Sequence, residues 1–299
     1  MRNFLSIEQL GEGDLRELLE ASQTFKATRT TKPQSLLSGQ TWALLFNKPS
    51  TRTRVSFEVG LRELGASAMF LAPQDIQLGR GEPITDTARV LGRMAHGAII
   101  RTFAQADLET FAEFSGLPTI NALTDEEHPC QIVADLFTIR ERRKTVEDMT
   151  VCFLGDGDCN VARSWMWAAE RLGFALRVAA PSGYQPSPEF KNRLANSNIS
   201  FNEDPAAAAA GADVLYTDVW VSMGREAEGA ERLRELAPYQ LNDDLLAQAR
   251  PGALVLHCLP AYRGKEITEA ILERHARTIF DQAENRLHAQ KAILQWVVK

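Results

Sequence analysis

Hydroxyl and guanidinium groups are concentrated in one short stretch, residues 48–54, directly after an apolar run. A helix N-terminus offers free backbone N–H groups and a partial positive charge, and hydroxyl and arginine side chains beside it complete a phosphate site. A helix cap with solvated arginines would explain one hydroxyl residue, but it would not explain four hydroxyl or guanidinium side chains in a row. The stretch therefore predicts a phosphate site, with the candidate ligands Ser50, Thr51, Arg52 and Thr53.

Two other places in the first half carry polar side chains after apolar runs. Arg101 follows the run 98–100, although an arginine at the end of a strand is, taken alone, more often solvated than functional. His128 and Gln131 flank Pro129, and a proline is typical of the first turn of a helix. Both side chains can donate to a carbonyl oxygen while a phosphate is held elsewhere. The alternative is a histidine that only satisfies a helix end.

In the second half, the loop Gly155–Val161 lies between an apolar run and a helical pattern. It is similar to a dinucleotide fingerprint, but Asn160 replaces the third glycine and no acidic residue ends the next apolar run. Asp218 follows a later apolar run, and a carboxylate suits the ammonium group of an amino acid. The carboxylate of the same amino acid needs neutral hydrogen-bond donors. Asn160 and the backbone of Ser222 and Met223 can supply these donors. A helix cap and a plain turn are the alternative interpretations.

The four cysteines, Cys130, Cys152, Cys159 and Cys258, form no CxxC pair, so neither a structural zinc site nor a disulfide framework is predicted. Cys258 ends the last apolar run, where a buried structural cysteine is the usual interpretation. In a site rich in arginine, its thiolate would instead be stabilised.

Short apolar runs alternate with amphipathic stretches along the chain, which predicts two βαβ series. The predicted strands are 41–46, 68–71, 98–100, 118–121, 151–154, 176–180, 199–201, 214–217 and 253–257. We expect an α/β fold of two domains, each a parallel sheet with helices on both faces. The charged stretch 139–149 predicts a connecting helix because it lacks Gly, Pro and Ser. A final helix is predicted over 283–298. Ligands bind beyond the carboxyl ends of strands in such sheets, where the polar loops lie.

Length and composition agree with this division. The chain has 299 residues, of which 44% are hydrophobic and 24% charged, enough for two domains of about 150 residues. No apolar run approaches the roughly 20 residues that cross a bilayer, and the N-terminus does not resemble a signal peptide, so we expect a cytoplasmic protein without membrane contact. The net charge is −6 and the basic residues are scattered, which argues against nucleic-acid binding.

Taken together, the motifs resemble the aspartate/ornithine carbamoyltransferase family over nearly the whole chain. The resemblance rests on Ser50–Arg54, Gln77 within 75–83, Arg101 and His128–Gln131, in that order and spacing. In the second half, Asp218 followed by Ser-Met-Gly resembles the ornithine branch, because an aspartate enzyme would offer a basic group to the substrate's second carboxylate. The sequence departs from the usual pattern of the family at Asn47, Cys159 and Tyr262.

The resemblance implies transfer of the carbamoyl group of carbamoyl phosphate to the side-chain amine of L-ornithine, giving citrulline and phosphate without a cofactor or a metal. It implies catalytic roles for Asp218, Cys258, Arg101 and His128. The implied ligands of carbamoyl phosphate are Ser50, Thr51, Arg52, Thr53, Gln77, Arg101, His128, Gln131, Cys258, Leu259 and Arg286. Those of ornithine are Asn160, Asp218, Ser222 and Met223.

The resemblance also implies an organisation. Residues 1–138 would form the carbamoyl-phosphate domain and 139–282 the ornithine domain, while the C-terminal helix, 283–299, would return to the first domain with Arg286 near its start. The protein would be a homo-oligomer, a trimer in which the Gln77 loop reaches a neighbour's active site. Three alternatives stay open: a sister transferase that accepts putrescine or a modified ornithine, a nicotinamide-dependent oxidoreductase, and a non-catalytic binding protein of the same fold.

Overall fold

A computed structural model describes residues 2–31, 34–72, 74, 76–77, 81–196, 198–221 and 226–299. The chain divides into two compact units. The first unit comprises Met1–Phe137 and Glu284–Lys299, and the second comprises Thr138–Ala283. Each unit is built on one parallel sheet, which confirms the predicted fold class. Within the part of the chain that the structure describes, no helix is long and apolar enough to span a membrane.

The first unit contains a four-stranded sheet in the order β2-β1-β3-β4. Its strands are β1 (Thr41–Phe46), β2 (Ser67–Leu71), β3 (Gly97–Arg101) and β4 (Thr119–Leu123). Its helices are α1 (Glu12–Thr28), α2 (Thr51–Glu63), α3 (Ile84–Leu91) and α4 (Gln105–Ser115). β3 and β4 are buried at every position, as strands are when a parallel sheet is covered on both faces.

The second unit contains a five-stranded sheet in the order β7-β6-β5-β8-β9. Its strands are β5 (Thr150–Leu154), β6 (Ala175–Ala179), β7 (Ile199–Asn202), β8 (Val214–Thr217) and β9 (Leu254–His257). Its helices are α6 (Asn160–Leu172), α7 (Pro188–Lys191), α8 (Pro205–Ala209), α9 (Gly229–Leu236), α10 (Asp243–Gln248) and α11 (Glu269–Arg274). All nine strands of the two sheets lie within two residues of their predicted bounds, because each is an apolar run that ends at a polar loop.

The chain passes between the units inside two long helices, α5 (Pro129–Arg143) and α12 (Ala276–Val298), and the C-terminal part of α12 packs on the first unit as predicted. Two helix bounds were predicted wrongly. The connecting helix does not continue to residue 149, because Lys144 adopts a φ of 73° and caps the last turn through its amide, 2.8 Å from the Arg140 carbonyl. The last helix begins at Ala276 and not at Ala283, since no Gly or Pro interrupts the intervening residues.

Strand order locates the functional edge of each sheet. In the first unit the order reverses at β1, whose neighbours are β2 and β3, and in the second at β5, whose neighbours are β6 and β8. A crevice opens at such a switch point, beyond the carboxyl ends of the strands. The loop after β1 ends at Ser50 and leads into Thr51–Thr53, the first residues of α2, and the loop after β3 follows Arg101. The loop after β5 leads to Asn160, and the loop after β8 contains Asp218.

Candidate active site

The start of α2 has the character of an anion site. Ser50 is the N-cap residue, but its hydroxyl accepts no capping hydrogen bond, so the simple cap interpretation does not account for it. No acidic residue lies in the first turn, and Arg52 does. A guanidinium group at the positive end of a helix is unfavourably placed unless an anion binds nearby. The hydroxyl of Thr53, in contrast, is fully buried.

The C-terminal helix brings Arg286 to this helix start. Arg286 is 3% exposed, and its Nη2 donates to the Oγ1 of Thr53 at 2.5 Å. Contacts on either side hold this part of α12 in the first unit: Lys26 Nζ donates to Asn285 Oδ1 at 2.8 Å, and Lys291 Nζ lies 2.8 Å from Glu63 Oε2. Arg286 therefore lies in the middle of a docked helix and not at its beginning.

Arg101 and His128 are buried beside the same helix start. Arg101 is the last residue of β3 and is 6% exposed, so it is not the solvated strand-end arginine that was the alternative. Burial lowers the pKa of His128 well below the ordinary value of 6.5, and the charges of Arg286, Arg101 and Arg52 lower it further. The four side chains therefore form one cluster, in which the imidazole is neutral at pH 7.

Gln131 lies in the first turn of α5, which begins at Pro129 as predicted. Its Nε2 donates to Asp135 Oδ1 at 2.8 Å. Its Oε1 is buried without a hydrogen-bond partner among the residues that the structure describes. Gln131 was predicted to donate to a carbonyl oxygen, but in this arrangement its unsatisfied atom is an acceptor. An acceptor here suits the N–H groups of an amide.

Sequence reasoning did not single out Lys48. Its side chain is 7% exposed, its Nζ forms an ion pair with Asp125, and the same atom lies 4.2 Å from the centre of the Phe103 ring. Lys48 follows β1, Phe103 follows β3 and Asp125 follows β4. One ammonium group therefore connects the three loops that carry or follow the candidate ligands of the first unit.

The predicted ligand Gln77 is not among the buried residues of this cluster. The side chain of Gln77 is exposed, and its carbonyl accepts from the amide of Glu82 at 3.2 Å. Ser222 and Met223 lie outside the described residues, as does much of the stretch 75–83 around Gln77.

In the second unit, the loop after β5 leads to Asn160, the first residue of α6. The N-cap is Cys159, whose Sγ accepts from the amide of Ala162 at 3.4 Å. Burial raises the pKa of Cys159 well above its ordinary value, and the nearby carboxylates of Asp156 and Asp218 raise it further. Cys159 is therefore a thiol, and it lies close to the Asp218 loop.

Asp218 accepts two hydrogen bonds on the same oxygen. Its Oδ1 is 2.7 Å from the Sγ of Cys258 and 2.7 Å from the amide nitrogen of Val219. Burial raises the pKa of Asp218, although His257 and these two hydrogen bonds act in the opposite direction. Because the thiol of Cys258 donates to a carboxylate, the contact favours the thiol over the thiolate that was one of the two interpretations of this residue.

His257 fixes the loop that carries Cys258. Its Nδ1 accepts from the amide of Leu259 at 2.9 Å, and its Nε2 lies 3.2 Å from Oε1 of the fully buried Glu266. The same Glu266 oxygen accepts from the amide of Tyr262 at 2.5 Å. These bonds support a φ of 57° at Leu259, which is unusual for a bulky residue.

Asp218, His257 and Cys258 present potential metal-ligand atoms within 4.8 Å of one another. Both ring nitrogens of His257 are already engaged in hydrogen bonds, so metal binding would require these hydrogen bonds to break.

The remaining cysteines behave as core residues, because burial raises the pKa of Cys130 and of Cys152 to about 12.

A second buried cation that sequence reasoning did not single out is Arg232 of α9. It forms an ion pair with Asp156, after β5, and its Nε donates to the carbonyl of Trp220 at 2.6 Å, after β8. Arg232 is 3% exposed. It therefore connects the loop before Asn160 with the loop that contains Asp218.

The fold and these sites define a class: α/β proteins of two units, with a basic anion site at the edge of one parallel sheet and a carboxylate–thiol site at the edge of the other. The carbamoyl-P binding domain of the aspartate/ornithine carbamoyltransferases matches residues 2–141, and their Asp/Orn binding domain matches residues 147–297. The chain belongs to the aspartate/ornithine carbamoyltransferase family.

Individual relatives agree with this assignment. The chain is 59% identical to an ornithine carbamoyltransferase of Akkermansia muciniphila over 296 residues, which cover 98% of this chain and 97% of that protein. Among solved structures, it is similar to the ornithine carbamoyltransferase from Pyrococcus furiosus, with a TM-score of 0.92, 43% identity and coverage of 98% and 96% of the two chains. An anabolic ornithine carbamoyltransferase from Campylobacter jejuni gives a TM-score of 0.94 at 39% identity, with coverage of 100% and 99%.

Proposed function

We propose that the chain transfers the carbamoyl group of carbamoyl phosphate to the side-chain amine of L-ornithine, producing L-citrulline and phosphate. The single observation that carries the proposal is the cluster of neutral His128 with three buried or half-buried arginines at the start of α2. Such a cluster suits a small substrate with a dianionic end and a polar carbonyl. The first domain of the family supplies the identity of the donor, carbamoyl phosphate, and the names of the relatives supply that of the acceptor, ornithine.

In this proposal the first unit binds carbamoyl phosphate. Arg52, Arg286 and the α2 amides neutralise the phosphate, which improves it as a leaving group. Arg101 and His128 donate to the carbonyl oxygen, where negative charge develops in the transition state. The Oε1 of Gln131 accepts from the carbamoyl N–H₂. The remaining ligands proposed for this substrate are Ser50, Thr51, Thr53, Gln77, Cys258 and Leu259.

The second unit handles the acceptor. Ornithine's side-chain amine must lose a proton before its nitrogen attacks the carbamoyl carbon, because a free alkyl ammonium has a pKa of about 10.4. We assign Asp218 and Cys258 to this amine, since a carboxylate and a thiol can exchange hydrogen bonds with it at one point. As the C–N bond forms, the C–O bond to phosphate breaks, and the second proton passes from the nitrogen to the departing phosphate, which leaves as hydrogen phosphate.

An amino acid is favoured over a diamine as the acceptor. Asn160 is the first residue of α6, where the helix dipole attracts a carboxylate, and putrescine has none. Asn160 would share the amino-acid end of ornithine with the backbone of Ser222 and Met223. A nicotinamide reaction is disfavoured by the packing of Gly157: a Cβ there would lie 2.7 Å from Val178 Cγ1, so packing alone explains this glycine.

The test is citrulline formation by the purified chain, with ornithine compared against putrescine, N-acetylornithine and aspartate. We expect turnover with ornithine alone. Arg52→Ala should abolish it, while Arg62→Ala, an exposed arginine near the other end of the same helix, should leave it unchanged. Faster turnover of another amine, or none with any amine, would contradict the proposal.

We further propose a cytoplasmic homotrimer with shared active sites. The exposed side chain of Gln77 supports this assembly, because a residue that serves its own site would be expected to face it. A closed ring with head-to-tail contacts would let the loop of one subunit reach the next.

A further inference from the structure

The N-terminal segment, residues 2–10, extends the first sheet and ends beside the active-site cluster. The amide of Phe4 donates to the carbonyl of Thr119 at 2.9 Å, and the amide of Asn121 donates to Phe4 at 2.8 Å, which adds a parallel bridge to the free edge of β4. At the carboxyl end of β4, the amide of Ile7 donates to Glu127 Oε2 at 3.0 Å. The segment therefore reaches the residue immediately before His128.

Glu127 is buried, with 4% of its surface exposed. Its second oxygen lies 3.5 Å from the amide of Glu8, so the carboxylate covers the first turn of residues 7–10. A buried carboxylate is costly unless it accepts hydrogen bonds, and backbone amides provide them here. The position of Glu127 is consequently determined by the N-terminal segment.

The backbone of Glu127 is also fixed. Its amide donates to Thr124 Oγ1 at 3.2 Å, and its carbonyl accepts from the amide of Thr124 at 2.9 Å. Thr124 in turn donates to Gln105 Oε1 at 2.9 Å, and Gln105 Nε2 lies 3.3 Å from the carbonyl of Leu5. The loop between β4 and α5 is thus tied to the N-terminal segment at two points.

We propose that Glu127 is a positioning residue for His128. Pro129 restricts the backbone on the C-terminal side of His128, and the Glu127 carboxylate holds it on the N-terminal side. This directs the neutral imidazole towards Arg101 and Arg286. Glu127 does not touch substrate and acts through His128. The inference rests on the proposed function, because the orientation of His128 matters most to carbamoyl transfer.

The test compares Glu127→Ala, Glu127→Gln and Asn3→Ala. A misplacement of about 1 Å can cost on the order of 100-fold, so we expect Glu127→Ala to lower kcat/KM for carbamoyl phosphate by about 10- to 100-fold. Glu127→Gln retains an oxygen that can accept from Ile7 and should recover most of the activity. Asn3 accepts from the amide of Thr119 at 3.0 Å and anchors the same segment at the far end of β4, so Asn3→Ala should keep normal kinetics.

A double-mutant cycle with His128→Ala distinguishes a role of Glu127 in positioning His128 from a general loss of rigidity in the protein. If Glu127 acts through His128, adding Glu127→Ala to His128→Ala should change kcat/KM by less than about twofold, because coupled residues are not additive. Multiplicative losses, or equal kinetic effects of Glu127→Ala and Asn3→Ala, would overturn the inference. If Glu127→Ala does not fold, Glu127→Asp, which withdraws the carboxylate by one methylene, takes its place in the cycle. A wild-type chain that forms no citrulline would instead refute the proposed function.

Discussion

Arg286→Met is the substitution with the most sharply defined consequences. Arg286 is 3% exposed and contacts Thr53, so in the proposed complex its charge-assisted contact with phosphate is also buried. Truncation of such a contact typically costs about 2–5 kcal/mol. At about 1.4 kcal/mol per factor of ten, kcat/KM for carbamoyl phosphate should fall roughly 30-fold to several thousand-fold. The loss should appear as a higher KM for carbamoyl phosphate and a lower kcat, because Arg286 both binds the phosphate and improves it as a leaving group, with the KM for ornithine little changed.

The fold should tolerate this change. The lost hydrogen bond leaves the Thr53 hydroxyl unsatisfied, which costs about 1–3 kcal/mol, but removal of one cation from a cluster of three offsets part of that cost. The pKa of His128 should rise, because the charge of Arg286 is the largest of the three that depress it. We would measure steady-state kinetics and an NMR titration of His128, with Arg62→Met as the control. An unchanged KM for carbamoyl phosphate in a folded variant would refute the assignment of Arg286.

Three further predictions test the rest of the site. Asp218→Asn should reduce ornithine turnover far more than carbamoyl phosphate affinity, as measured by initial rates and isothermal titration; equal losses would make Asp218 a structural residue. The depressed pKa of His128 means that the unfolded chain binds a proton the folded chain does not, so the free energy of unfolding should fall as the pH drops below about 6.5. His128→Asn should weaken that dependence in urea titrations, and an unchanged slope would contradict the burial argument. Mixing inactive Arg52→Ala and Gln77→Ala chains under subunit exchange should restore part of the activity; no recovery despite proven exchange would mean that each chain builds its own site.

Elements that depend on local sequence were predictable. Each strand of the two parallel sheets is an apolar run bounded by polar loops, and this pattern is independent of tertiary context. Helix ends were less predictable: α5 stops where Lys144 takes a left-handed conformation, and α12 starts where no breaker residue marks a boundary.

The ligands were predictable by type but not by environment. The neutrality of His128 depends first on its burial and then on the charges of Arg286, Arg101 and Arg52, and Arg286 lies far from His128 in the sequence. The sequence left Cys258 as either a buried structural cysteine or a thiolate stabilised by arginines, whereas the carboxylate of Asp218 is the neighbour with which it shares a hydrogen bond. These outcomes are set by long-range contacts, which periodicity and spacing do not encode.

Lys48 and Arg232, which sequence reasoning did not single out, perform the same structural task in the two units. Loops beyond the carboxyl ends of strands have no ladder of backbone hydrogen bonds to hold them, so something else must fix their relative positions. Lys48 connects loops after β1, β3 and β4, and Arg232 connects loops after β5 and β8. A buried cation is costly when its partner is lost, and each ion pair therefore makes loop separation unfavourable. Since Asp125 and Asp156 are 77 and 76 residues from their partners, no local motif could have revealed either pair. The chemistry-bearing residues are thus recognisable in sequence, while the residues that hold their loops together become visible only in the fold.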